Sequence, residues 1–299
     1  MKMKLGKKGE LSTQQIVLLI ILIASFIIIL FFLFRLNPGN ETDLEACHQS
    51  VVMKGNPAIP ADSIPLKCKT KYLCISKDGT CEGLTKPVLE KVKTKEEVYD
   101  VLAQEMADCW WMFGEGNINY VGKDMQHKFY CSLCTQFILD DSLNEIEGIN
   151  RGVSEKDFYE YLERKKMVAE NISYLEYLTE AKSVNALERS LFSQGGSFGS
   201  YSLGRQHYVM MGIYSEVGVW KWVGIGTVAG AIVAAPFTGG ISLGYVLVAG
   251  AAVGGGAAGG FLGKTVKGVS GLEYLTPKII EARSAEFDVF ECKNIMTTS

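Results

Sequence analysis

From Leu11 to Phe34 the chain carries no charge and shows no polar face after Gln15. At about 1.5 Å per residue, such a run crosses a hydrocarbon core of roughly 30 Å as a helix. We therefore expect a transmembrane helix over 11–34, behind a basic leader over 1–10 that holds Lys2, Lys4, Lys7 and Lys8. The pattern then changes. Residues 36–93 are rich in Pro, Lys, Gly and Asp, with short apolar runs at Ser50–Met53 and Tyr72–Ile75. Lys77-Asp78-Gly79 reads as a turn. A helix follows: Thr94 and Glu97 form a capping box, and Val98, Val101, Leu102, Met106, Cys109, Trp110 and Phe113 recur at three- and four-residue steps before Gly114.

Beyond it, Gly116–Val121 is expected as a short strand or turn and His127–Leu139 as a strand. Ser154 to about Leu187 reads as helical, with Ser154 capping and Asp157 at the box position. Ser193–Ser202 is a glycine-rich loop, and Gln206–Ser215 and Lys278–Cys292 alternate as strands do. Between those two strands lies a second apolar block, Trp222–Gly263, without charge from Lys221 to Lys264. Small-xxx-small steps recur in it, at Gly226/Gly230, Gly240/Gly244, Gly250/Gly254 and Gly259/Gly263, and such steps let helices approach closely. The block reads as a helical hairpin turning at Pro236–Gly240. If the flanking strands pair, both its ends lie on one side.

The cysteines sharpen this picture. Cys47, Cys68, Cys74, Cys81, Cys109, Cys131, Cys134 and Cys292 all follow the first apolar run, and none falls in either apolar block. The N-terminal lysines place the start of the chain in the cytoplasm, so the cysteines fall outside, where disulfides persist. The spacings between Cys68, Cys74 and Cys81 are not those of zinc ribbons, and disulfides are expected. Cys131-x-x-Cys134 has the redox-motif spacing, but its strand setting points to half-cystines with separate partners. Sequons at Asn40 and Asn171 are glycosylation candidates compatible with an external domain.

The residues Lys7-Lys8-Gly9-Glu10-Leu11-Ser12, with Gln14 and Leu18, resemble the archaeal class III (type IV pilin-like) signal peptide. Ser12 and Leu18 match that family; Glu10 and Gln14 stand where it has Gln and Glu. The resemblance implies processing between Gly9 and Glu10 with the apolar helix retained. The acidic residue replaced by Gln14 is the one the family links to filament assembly.

Net charge is −3 with pI near 5.8, and no basic stripe suggests nucleic-acid binding. His48, His127 and His207 lie far apart, and neither a nucleophile elbow nor a metal-binding pattern stands out. No catalytic residue, metal or cofactor is assigned. The expected fold class is α+β: an N-terminal transmembrane helix, a disulfide-stabilised external domain of short strands and amphipathic helices, and an inserted glycine-rich hydrophobic helical hairpin. The expected divisions are a cysteine-rich segment over 36–93, an α+β domain over 94–215, the hairpin over 219–263 and a strand region over 264–299 packing on the external domain. The expected role is structural, in assembly or contact at the cell surface, with the lipid bilayer, further copies of the chain and envelope proteins as partners. A thiol-disulfide oxidoreductase using the CxxC pair and a pilin-like filament subunit are the alternatives.

Overall fold

In the computed structural model the described residues are 13–35, 39–60, 63–121, 130–150, 152–167, 171–193, 197–215, 244–247, 261–267, 272–284, 287–288 and 294–295. The chain falls into two units, Met1–Thr42 and Asp43–Ser299. In the first, α1 (Thr13–Arg35) exposes Ile16, Leu18, Ile20, Ile23, Phe26, Ile28 and Phe31 to the surroundings, on every side of the helix. The hydroxyl of Ser25 donates back to Ile21 O at 2.8 Å, so the polar atom is satisfied within the helix itself. Side chains are described here from Ile16 to Phe31. Among the described residues no helix is long and apolar enough to cross a membrane.

The second unit is α+β and disulfide-bonded. Its main sheet has the order β2-β1-β3-β6-β9-β8-β7, with β10 beside the start of β3. These strands are β1 (Lys71–Ser76), β2 (Val88–Lys91), β3 (Tyr130–Leu139), β6 (Gln206–Ser215), β7 (Gly244–Leu247), β8 (Phe261–Lys267), β9 (Leu272–Glu281) and β10 (Asn294–Ile295). β1 runs parallel to β2 and β3, and from β3 through β6, β9 and β8 to β7 every neighbour is antiparallel. The two strands expected to flank the second apolar block do pair: His207 lies opposite Glu281 and Ser215 opposite Leu272. The second of them sits earlier than expected, ending at Glu281.

α3 (Lys95–Met112) starts as its sequence predicts. The Thr94 hydroxyl accepts from Glu97 N at 3.2 Å, and Glu97 reaches back to Lys93 N at 2.5 Å. Val98, Leu102, Met106, Cys109 and Phe113 are buried in the core, with Trp110 almost so. The expected long helix after Ser154 is broken into α4 (Glu155–Arg164), α5 (Tyr174–Thr179) and α6 (Val184–Ser193). Lys165 and Glu180 end the first two, the latter in the left-handed region at φ 53°. β4 (Gly152–Ser154) and β5 (Ser200–Ser202) form a separate two-stranded ribbon that opens α4.

The segment 36–93 holds a helix that its pattern did not predict, α2 (Gly39–Lys54), which buries Cys47 and Val51. One expectation is corrected. The described parts of the second apolar block are strands, not helix. Gly244 pairs with Thr265 and Val246 with Gly263, in the main sheet. A short apolar run does not distinguish a helix from a buried strand by its period, and β9 offered an edge to pair with. Gly226, Gly230, Gly240, Gly250, Gly254 and Gly259 lie outside the described residues, as do Gly9, Glu10 and Cys292.

Candidate functional site

The cysteines come together as staples. Cys47 bonds Cys68, Cys74 bonds Cys81, and Cys109 bonds Cys134. The first holds α2 to the residues before β1. It is reinforced by Ser50, whose hydroxyl accepts from Lys67 N at 2.9 Å. The second closes the turn at Gly79, where φ of +86° suits glycine. In that turn Asp78 accepts from Thr80 N at 2.8 Å, which holds its carboxyl below the usual value. The third ties α3 to the sheet.

Leu133 faces Met210 and Thr135 faces Val209, so Cys134 is the extra residue of a β-bulge in β3. The bulge frees its side chain from the ladder at the point where Cys109 approaches. Cys131 is also disulfide-bonded. The CxxC residues therefore do not bridge each other: Cys134 is committed to Cys109.

The sequons differ in setting. Asn171 is exposed at a turn, with φ of +55°, and its Oδ1 accepts from Lys166 Nζ at 3.3 Å. Asn40 falls in the first turn of α2.

The most unusual chemistry lies elsewhere, under α4. The Ser154 hydroxyl caps this helix by accepting from Asp157 N at 3.3 Å, and Glu155 follows as the first helical residue. β4 and β5 pair with Ser154 opposite Ser200 and Val153 opposite Tyr201. That register sets Gly199 against Glu155. Glu155 N donates to Gly199 O at 3.0 Å, and Gly199 N donates to Glu155 Oε2 at 2.8 Å. Gly152 permits the approach, because a Cβ there would stand 2.5 Å from Tyr201 O. On the other oxygen, Oε1, the Tyr201 hydroxyl donates at 3.4 Å and Lys278 Nζ donates from β9. The side chains of Lys278 and Glu155 are only 3% and 5% exposed.

Aromatic rings enclose the pair. Nζ sits 5.2 Å from the centre of the Tyr159 ring, which packs on Phe198 at 5.5 Å, and Tyr201 meets Phe158 edge-on at 6.2 Å. Burial raises the phenols of Tyr159 and Tyr201 far above their ordinary value. His207 closes one side, its ring stacked on Phe137 at 5.3 Å and edge-on to Tyr201 at 6.1 Å. Its Nδ1–H donates to Arg205 O at 3.0 Å, which leaves Nε2 as a buried acceptor with no partner among the described residues. Burial pushes this imidazole down to about 4 and keeps it neutral.

Another buried carboxylate behaves more conventionally. Glu105 accepts from Thr135 Oγ1 at 2.6 Å and from Lys71 Nζ at 2.5 Å, but the Lys71 side chain is 30% exposed and stays hydrated. Nearby, burial raises Asp108 to about 6 against the hydrogen bond from Gln104.

The sequence reading missed the Glu155 cluster. Glu155 was not singled out, and Lys278 read only as the first residue of the strand expected over Lys278–Cys292. The available signal was a lone lysine preceded by Pro277 and followed by Ile279 and Ile280. Among the described residues no group of three or more His, Cys, Asp or Glu is arranged to hold a metal ion. Compared with protein-family models, curated proteins and solved structures, the chain matches none of them.

Proposed function

We propose that this chain is a membrane-anchored cell-surface protein with a structural, assembly or contact role. The apolar run over 11–34 is the anchor, and the disulfide-bonded α+β unit is the external part. The observation that carries the proposal is the disulfide set, because bonds of this kind persist in oxidising surroundings. The apolar surface of α1 supports it: a helix that exposes large side chains all round calls for lipid or a protein partner. Self-association through the glycine-rich block 219–263 belongs to the same proposal. No observation favours the oxidoreductase alternative, since Cys134 is engaged with Cys109. The test is fractionation of cells expressing the full chain, followed by an alkaline carbonate wash. The proposal expects the protein to stay with the membrane pellet, while a variant with three leucines of 18–30 replaced by lysine does not. Release of the unaltered chain by the wash would sink it.

A further inference from the structure

We propose that Lys278 and Glu155 are joined by an intramolecular amide bond, formed by the chain itself, that fastens β9 to the start of α4. This goes beyond the anchored-domain reading and holds whether or not α1 lies in lipid. Both side chains are almost completely withdrawn from water and stand in direct contact, Nζ against Oε1. The Tyr159 ring covers Nζ and the Tyr201 hydroxyl meets Oε1, while Phe198 and Phe158 pack on those two tyrosines. Two charges in such surroundings lose most of their hydration, and their attraction repays that loss only in part. Passing the proton from ammonium to carboxylate removes both charges. It leaves a free amine and a carboxylic acid, the two forms that condense.

The groups around the carboxyl suit that condensation. The Nζ lone pair attacks Glu155 Cδ, and negative charge develops on Oε2, where Gly199 N–H already donates at 2.8 Å. A fixed backbone donor aimed at a developing oxyanion is an effective means of stabilising it. The Cδ–Oε1 bond then breaks. Oε1 leaves as water with its own acid proton and one proton from Nζ, relayed through the Tyr201 hydroxyl that touches the same oxygen at 3.4 Å. The products are one amide and one water, with no oxidant, reductant or second substrate. Groups held together in this way react at effective concentrations on the order of 10⁵–10⁸ M.

The arrangement is held from both sides. The β4–β5 register fixes Gly199 and Tyr201 relative to Glu155, and the antiparallel ladder with β6 fixes Lys278. The bond would span 123 residues of chain. The Lys71–Glu105 pair makes a useful contrast: its lysine remains in water, so it stays an ion pair.

The test is peptide mapping of the full chain after complete reduction and proteolysis. A branched peptide is expected, joining the segment around Glu155 to the segment around Lys278 and lighter by one water than the two separate peptides. The whole population should carry it, and the Lys278→Arg variant should yield only linear peptides. Linear wild-type peptides bearing unmodified Glu155 and Lys278 would overturn the proposal. So would loss of water located at any other residue. The wild-type result decides the matter even where the variant folds poorly.

Discussion

His207, which is buried, and Asp108, which is half-buried, are titratable side chains whose effects on stability oppose each other. Burial holds His207 near 4 in the folded chain against an ordinary 6.5; Glu281 raises it somewhat and Arg205 lowers it. As pH falls through that window the unfolded chain takes up a proton that the folded chain refuses. Stability therefore drops, by up to about 3 kcal/mol. Asp108 is raised from 3.8 to about 6, so in its window the folded chain keeps a proton that the unfolded chain has released. Its contribution is present at low pH and lost as pH rises, by a similar amount. The two slopes overlap between about 4 and 6 and largely cancel. Urea unfolding at pH 7 and pH 4.5 checks this. The His207→Phe variant should gain stability on acidification relative to wild type, and Asp108→Asn should lose it. Equal pH slopes in His207→Phe and wild type would show that the imidazole does not titrate as described.

At the scale of elements, the disulfide between Cys109 and Cys134 joins α3 to β3, an interior strand of the main sheet. It closes a separation of 25 residues, which corresponds to about 3–4 kcal/mol in the chain-entropy account. The double variant Cys109→Ala/Cys134→Ala should lose about that much in denaturant unfolding, and a loss under about 1 kcal/mol would contradict it.

The strong local signals in the sequence match the elements found. The Thr94 cap, the turn at Gly79, and the alternation over Gln206–Ser215 each depend on residues close together in the chain. α2 escaped notice because its helix is held by a bridge to Cys68 rather than by an apolar stripe. The second apolar block misled because small residues suit close helix packing and close strand pairing alike, and the edge of β9 was invisible in one dimension. Nor could the Glu155 cluster be read from the sequence: Gly199, Tyr201 and Lys278 reach the carboxylate only through the β4–β5 register and the pairing of β9 with β6. What was legible there was a helix cap, and the cap is real.

For the whole molecule, the account joins an apolar helix to a unit stiffened by bonds that water and mild denaturation do not break. The disulfides act at one end of the sheet order and beneath α3, while the inferred amide would act between β9 and α4. Under the proposed function these bonds would keep the domain in shape outside the cell, and sidedness is the claim on which that reading depends. The most direct measurement is labelling of intact cells with an amine reagent that does not cross membranes, read residue by residue by mass spectrometry. Lys69 has a side chain 64% exposed and stands next to the first disulfide. The account predicts that Lys69 is labelled in intact cells as fully as in lysed ones. Labelling of Lys69 only after lysis would place the disulfide-bonded unit inside the cell and contradict the account.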